Sequence, residues 1–374
     1  MKRYQSSVGL LLLVGVILPV QAQLSFTFTE LITLGGTNSY AYGINASGQV
    51  VGEANTTGDT ASRAVIWNSG TPTALSLLAG GTENSANAIN ASGEIVGFSN
   101  NGSADRAVYW SNSGAAATDL GTLGGANAFA TSINAAGKIG GGSNFDGSSD
   151  VHAAVWNSSI ASPTDFGTLG GNRGEVLAIN TSGRAVGYGR NLSQSSFPLT
   201  WASGSSTPTQ LSDLGGSNSH SANAINDAGD IVGQSKTGSG NLKAVLWDFD
   251  GVSSYTLTDL GTLGGNQSLA YGINASGLIV GESWFDETEK SHAFLYSGGT
   301  MYDLNSLVSG AGGWTLVSAT AINDSGQIVG YAVDGVGNEH AFLLTAVPEP
   351  STYAVVAGLG ALAVVVIRRR HRAA

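Results

Sequence analysis

The chain contains no cysteine. Neither a disulfide nor a thiolate metal site can brace it, so its stability must come from packing. Charged residues make up only 11% of the sequence and glycine supplies 55 of its 374 residues, a composition poor in long-helix material and rich in turns. Basic residues are scarcest in the middle. Six of the 15 lie near the termini, leaving nine against 25 acids between them, a formal charge of −16. A body that acidic repels phosphate backbones, which argues against a nucleic-acid partner. Catalytic signatures are missing as well. There is no Gly-x-Ser-x-Gly elbow, no cysteine nucleophile, and no Lys-Ser or Lys-Thr after the Gly-Gly pairs to make a phosphate loop. Paired carboxylates of the glycosidase kind depend on separation in space, which sequence does not reveal.

What is present is repetition. An Ile-Asn pair followed three residues later by Gly recurs seven times, with Asn at 45, 90, 134, 180, 226, 274 and 323. A period of 44 to 49 residues over nearly the whole interior marks one small unit repeated. Each copy parses into four short strands. The segment before Asn, such as Tyr40 to Ile44 or Ser85 to Ile89, keeps one face small, as a crowded hub requires. Asn45-Ala46-Ser47-Gly48 and its relatives then make a hairpin turn, which explains them better than glycosylation sequons do. A second strand follows, as in Gln49 to Gly52. The third ends in Trp67, Trp110, Trp156, Trp201, Trp247 or Tyr296, and in Leu344 in the last copy. The fourth is expected at Asp119-Leu120-Gly121-Thr122-Leu123-Gly124-Gly125 and its counterparts, closed by Gly-Gly.

The pieces are out of phase at the ends. The body opens on Leu31-Ile32-Thr33-Leu34-Gly35-Gly36, an orphan fourth strand, and stops after a third strand, Ala341 to Leu344. This predicts a ring: an all-β, seven-bladed β-propeller of four-stranded blades, closed by pairing the N-terminal strand with the last three. The domain boundaries expected are a signal peptide at 1–22, the propeller at 23–346 and a sorting tail at 347–374. The first rests on Lys2 and Arg3, an apolar run from Val8 to Val20, and small residues before cleavage after Ala22.

The tail has three parts: Val347-Pro348-Glu349-Pro350, an apolar segment from Ala354 to Ile367, and the basic stop Arg368, Arg369, Arg370 and Arg372. It resembles the PEP-CTERM sorting signal of Gram-negative bacteria. The resemblance implies processing by an exosortase-type membrane enzyme, transient or lasting inner-membrane anchorage, and delivery to the cell surface or beyond. Fourteen apolar residues make roughly 21 Å of helix against a ~30 Å hydrocarbon core, with the arginines able to snorkel to the cytoplasmic headgroups. The repeats resemble bacterial extracellular HAF repeats through His292-Ala293-Phe294 and His340-Ala341-Phe342, a motif that drifts elsewhere and departs further at Phe197-Pro198-Leu199. That family implies location and architecture, and no reaction.

The expected function is an exported structural or adhesive surface protein, not an enzyme, with exopolysaccharide or other surface proteins as partners. The alternative is a lectin-like propeller that binds through the face to which strand direction assigns both the Gly-Gly crossings and the loops between second and third strands, such as Asn55 to Ser62, Asn144 to Val151 and Trp284 to Ser291, which vary while the opposite hairpins stay uniform. A hydrolase is a third reading without a motif. No cofactor is expected. His152, His292 and His340 share one repeat position and so spread around the ring rather than converge on a metal. Asp248-Phe249-Asp250-Gly251 and the acidic run Asp286 to Glu289 could bind Ca²⁺ weakly, though the first lacks the distal Glu of a calcium loop. The tryptophans read as packing between blades rather than as sugar platforms.

Overall fold

A computed structural model describes residues 24–159, 161–285 and 290–347. The expected signal peptide, most of the sorting tail with its apolar segment and arginines, and Asp286 to Glu289 lie outside the described residues. Ser25–Ala346 forms one compact unit holding the whole core, so the body is self-contained. Among the described residues no helix is long and apolar enough to cross a membrane.

The unit is a β-propeller whose seven repeats close on themselves, but the strands do not group as the expected seven four-stranded blades. Hydrogen bonding gives four sheets of four strands, a fifth blade-sized sheet of five strands, and one continuous sheet of eight. The eight-stranded sheet exists because repeats three and four touch through a parallel pair at Val151 and Arg173. Next to that pair stands Gly174, where a Cβ would lie 2.5 Å from the Gly167 carbonyl and 3.4 Å from the Ala153 nitrogen. The backbones can approach because no side chain holds them apart. The fifth strand of the other sheet, Val308–Ser309, comes from the irregular excursion in repeat seven and runs parallel to the chain at Phe26 and Thr27.

Two strand positions also shift. The Asp-Leu-Gly-Thr-Leu-Gly-Gly segments are not fourth strands. The outer strand takes in only their first residues, as at Thr118–Asp119 and Thr164–Gly167, and Gly-Gly lies beyond it, opening the next inner strand at Gly35–Ile44, Gly124–Ile133 and Gly170–Ile179. Likewise the closing strand is Phe26–Leu31, upstream of the Leu31 to Leu34 stretch expected to close the ring. It pairs antiparallel with Glu339–Ala346 over six positions, from Phe26 opposite Ala346 to Leu31 opposite Ala341. On that seam His340 Nδ1 lies 2.7 Å from Glu30 Oε1.

The inner ring is built from the recurring Asn. Each Asn Oδ1 accepts the N–H four residues on, at 2.9–3.0 Å, closing its own hairpin. Each Nδ2 donates to the backbone carbonyl of the next repeat's Asn at 3.0–3.4 Å, and Asn323 donates to Asn45, completing the circle. All seven are buried. An amide serves here because it alone supplies a fixed acceptor for its turn and a donor for its neighbour.

Tryptophan ties the repeats farther out. Trp67, Trp110, Trp156, Trp201 and Trp247 have no exposed surface. Their indole N–H groups donate to carbonyls at the preceding crossing, Ile32, Ser76, Leu120, Phe166 and Ser212, at 2.8–3.3 Å. Buried indoles with satisfied N–H groups are mortar between repeats, not platforms for a sugar.

Candidate functional site

Every inner strand carries a β-bulge near its end. The register slips between Ala41 and Gly43, and again between Ala86 and Ala88, Ala130 and Ser132, Val176 and Ala178, Ala222 and Ala224, Ala270 and Gly272, and Ala319 and Ala321. The skipped residues are Tyr42, Asn87, Thr131, Leu177, Asn223, Tyr271 and Thr320, which line the central channel. A bulge re-aims one side chain and pushes its strand toward the neighbour. Opposite every bulge the second strand has glycine. A Cβ at Gly52 or at its six counterparts would lie 1.9–2.0 Å from an inner-strand carbonyl oxygen.

The channel position is therefore fixed in backbone and free in identity. Thr131 and Thr320 donate to Val176 O and Ala41 O of the next inner strand at 2.6 and 2.7 Å. Asn87 and Asn223 do the same to Ala130 O and Ala270 O, both at 2.8 Å. Where tyrosine stands, it engages a glutamate from its own second strand: Tyr42 Oη donates to Glu53 at 2.8 Å and Tyr271 Oη to Glu282 at 3.0 Å. Tyr40 donates to Glu339, and Tyr188 to Glu175 at 2.6 Å.

Burial dominates the electrostatics here. It pushes the phenols of Tyr40, Tyr42, Tyr188 and Tyr271 well above their ordinary range, with the adjacent glutamates adding to the effect. Tyr331 is pushed up to about 12 by burial, with Glu282 and Glu339 contributing. The Glu282 carboxyl is also raised by burial, against the opposing bonds from Tyr271 and Ser318. The site is a belt of phenols and carboxyls around a cavity of about 480 Å³ that Asn223, Gln234, Tyr271, Glu282, Ser318 and Tyr331 help line. A second cavity, of about 500 Å³, lies between repeats four and five and shares Gln234 as a wall.

Crossings and second-to-third-strand loops do lie side by side. Leu34 bridges Thr56, Leu123 bridges Phe145, Leu169 bridges Asn191 and Gly215 bridges Thr237. Inner strands run from this face toward the Asn ring, so the phenol belt sits in the shaft between the two.

The histidines have local partners. His152 lies 3.0 Å from Asp165 and His292 lies 2.8 Å from Asp303, each on the adjacent outer strand, and Arg106 pairs with Asp119 in the same way at 2.9 Å. Phe145 and Phe285 stack on two of these imidazoles, with centroids 4.7 and 4.5 Å apart. Asp250 is used by its own turn. Its Oδ1 accepts the N–H groups of Val252, Ser253 and Ser254 at 2.8–3.0 Å, which hold the carboxyl below its ordinary range. Among the described residues no three His, Asp or Glu side chains gather as metal ligands would. Sequence reasoning missed the channel residues because the bulge, which no residue type announces, decides where they point.

Residues 346–370 match the PEP-CTERM protein-sorting motif. That span includes Val347, Pro348, Glu349, Pro350, Arg368, Arg369 and Arg370; Arg372 lies beyond it. No curated protein matches the chain. Among solved structures, one described as YCF48 bound to D1 peptide is similar, with a TM-score of 0.53 and 12% identity over 89% of this chain and 99% of that one. At that identity the likeness is one of fold. The motif implies an exported protein sorted at the membrane, with an exosortase as the enzyme that recognises it.

Proposed function

We propose that the protein is a cell-surface or extracellular-matrix adhesion ring, non-catalytic, with HAF-type repeats as its body. The observation that carries this reading is the division of labour within each repeat. Asn, Trp and the bulge-facing Gly are spent on the ring, while the residues that differ between repeats collect at the channel and on the crossing face. A rigid frame with one variable face is suited to contact rather than turnover. The described carboxyls of the channel belt also argue for binding, since each is engaged by a tyrosine hydroxyl instead of standing free for acid or base work. Exopolysaccharide and other surface proteins are the proposed partners.

Purified body, residues 25–346, should bind saturably to washed cells of the producing bacterium that lack the protein, and the full chain carrying Glu349→Ala should accumulate unprocessed in the membrane. Body that stays wholly in the supernatant would rule the adhesive reading out. The ring is also proposed to need no ion: chelation with EDTA should leave the melting temperature within about 1 °C, and a calcium-dependent rise of several degrees would count against that.

A further inference from the structure

Repeat five carries one extra residue in an otherwise regular crossing. From the second Gly of Gly-Gly to the ring Asn the offset is nine at Gly36, Gly81, Gly125, Gly171 and Gly265, but ten at Gly216 and, after the irregular excursion of repeat seven, at Gly313. Asn218 and Ser219 absorb the extra residue in the left-handed region, at φ 65° and 69°. Across the cleft Gln194 has φ 61°. Non-glycine residues rarely adopt this conformation, and strain of this kind tends to gather where function retains it. Among the described residues five non-glycine positions have positive φ, and three of them line the same 500 Å³ cavity.

A second departure props that cavity open. Ser39, Asn84 and Ser268 cap the N–H of Ala341, Ala64 and Ala244 on the preceding repeat's third strand, at 2.9–3.0 Å. The corresponding partner of repeat five is Pro198, which has no N–H to cap. His220, in the capping position, folds back instead. Its Nδ1 accepts the Lys236 N–H at 3.2 Å and its Nε2 lies 3.0 Å from Gly216 O, making a fully buried strut beneath the widened crossing.

The lining is amide and hydroxyl: Gln194, Ser196, Asn218, Ser219 and Gln234, with the Tyr188 phenol. Among the described residues no acid lines the cavity, although the body is strongly acidic, and Arg190 is its one guanidinium. Arg190 makes one long contact, 3.4 Å to Asn172, which leaves most of its donor fork open. The Gln234 amide has no hydrogen-bond partner among the described residues, and it faces both this cavity and the channel mouth. Planar amides offer a donor and an acceptor side by side, which suits adjacent hydroxyls. A guanidinium fork suits a carboxylate. Apolar ligands would strand these groups, and cations would meet Arg190.

We propose that the cleft between repeats four and five, continuing past Gln234 into the channel mouth, binds an acidic oligosaccharide, with Arg190 holding a uronate carboxylate and the amides and Ser219 its hydroxyls. This rests on the adhesive reading and gives it a ligand. The test is calorimetry of the 25–346 body with oligogalacturonate, oligomannuronate and neutral gluco-oligosaccharides. At least one uronate series should bind. Arg190→Ala should weaken it at least tenfold, and Gln234→Ala or Ser219→Gly about threefold to tenfold, while Val252→Ser, on a distant exposed turn, changes nothing. Far-ultraviolet dichroism and melting confirm that each variant is folded. Saccharide binding untouched by the cleft variants would overturn the site. Retention on cells with no saccharide binding would overturn the ligand class and leave adhesion standing, whereas loss of both would remove the adhesive reading too.

Discussion

The side chain with the largest share of the architecture is an amide. Each ring Asn satisfies its own turn and the next repeat's carbonyl while buried, and a buried group left unpaired costs ~1–3 kcal/mol. Asn134→Asp should therefore destabilise the body by about 2 kcal/mol in denaturant melts, whereas Asn112→Asp on an exposed turn should change it by less than about 0.5 kcal/mol. Equal effects would remove the ring from the account. The phenols give a pH prediction. Folded-state values for Tyr40, Tyr42, Tyr188 and Tyr271 lie above that of a free phenol, so the stability they contribute is complete below pH ~10 and is lost as pH rises beyond it. Absorbance titration near 295 nm should show these tyrosines ionising only together with unfolding; a smooth titration of all tyrosines around pH 10 in folded protein would contradict their burial. Sequence disclosed half of the Asn role. The turn was legible from Asn-x-x-Gly, but the bond to the next repeat depends on a neighbour some 46 residues away that only closure brings near.

At the scale of the strand, bulge and glycine are one device. The bulge presses a carbonyl against the second strand, and only a residue without a Cβ can face it. Gly233→Ala should cost about 3 kcal/mol, at the top of the range for overpacking. Gly335→Ala, with open space around it and no left-handed φ, should be close to neutral. Similar losses at both positions would mean that the bulge is not what selects glycine. The Val-Gly pairs were visible in the sequence as strand ends. Their reason was not, because a bulge is a mismatch between two strands and neither strand shows it alone. The same limit misplaced the fourth strand. Asp-Leu-Gly-Thr-Leu-Gly-Gly alternates like a strand, yet Thr122 hydroxyl donates to Gly125 O at 2.8 Å and fastens the segment as a crossing.

For the whole molecule, the period and the out-of-phase ends foretold a closed β-propeller, while the grouping into separate four-stranded sheets failed where glycine let repeats three and four touch. The crossing face was legible from strand direction. The cleft was not, since its origin is one inserted residue and a proline that lacks an N–H. Closure carries the rest: without it the Asn ring, the channel and the cleft lose their frame. The absence of cysteine permits a clean test. Thr27 and Thr345 are exposed Cα partners on the seam between Phe26–Leu31 and Glu339–Ala346, within the reach of a disulfide. Thr27→Cys combined with Thr345→Cys, oxidised at low protein concentration, should form an intramolecular disulfide rapidly in folded monomer and raise the midpoint of unfolding. Two thiols that remain free in the folded monomer, or that cross-link only between molecules, would mean that the ends of the chain do not meet.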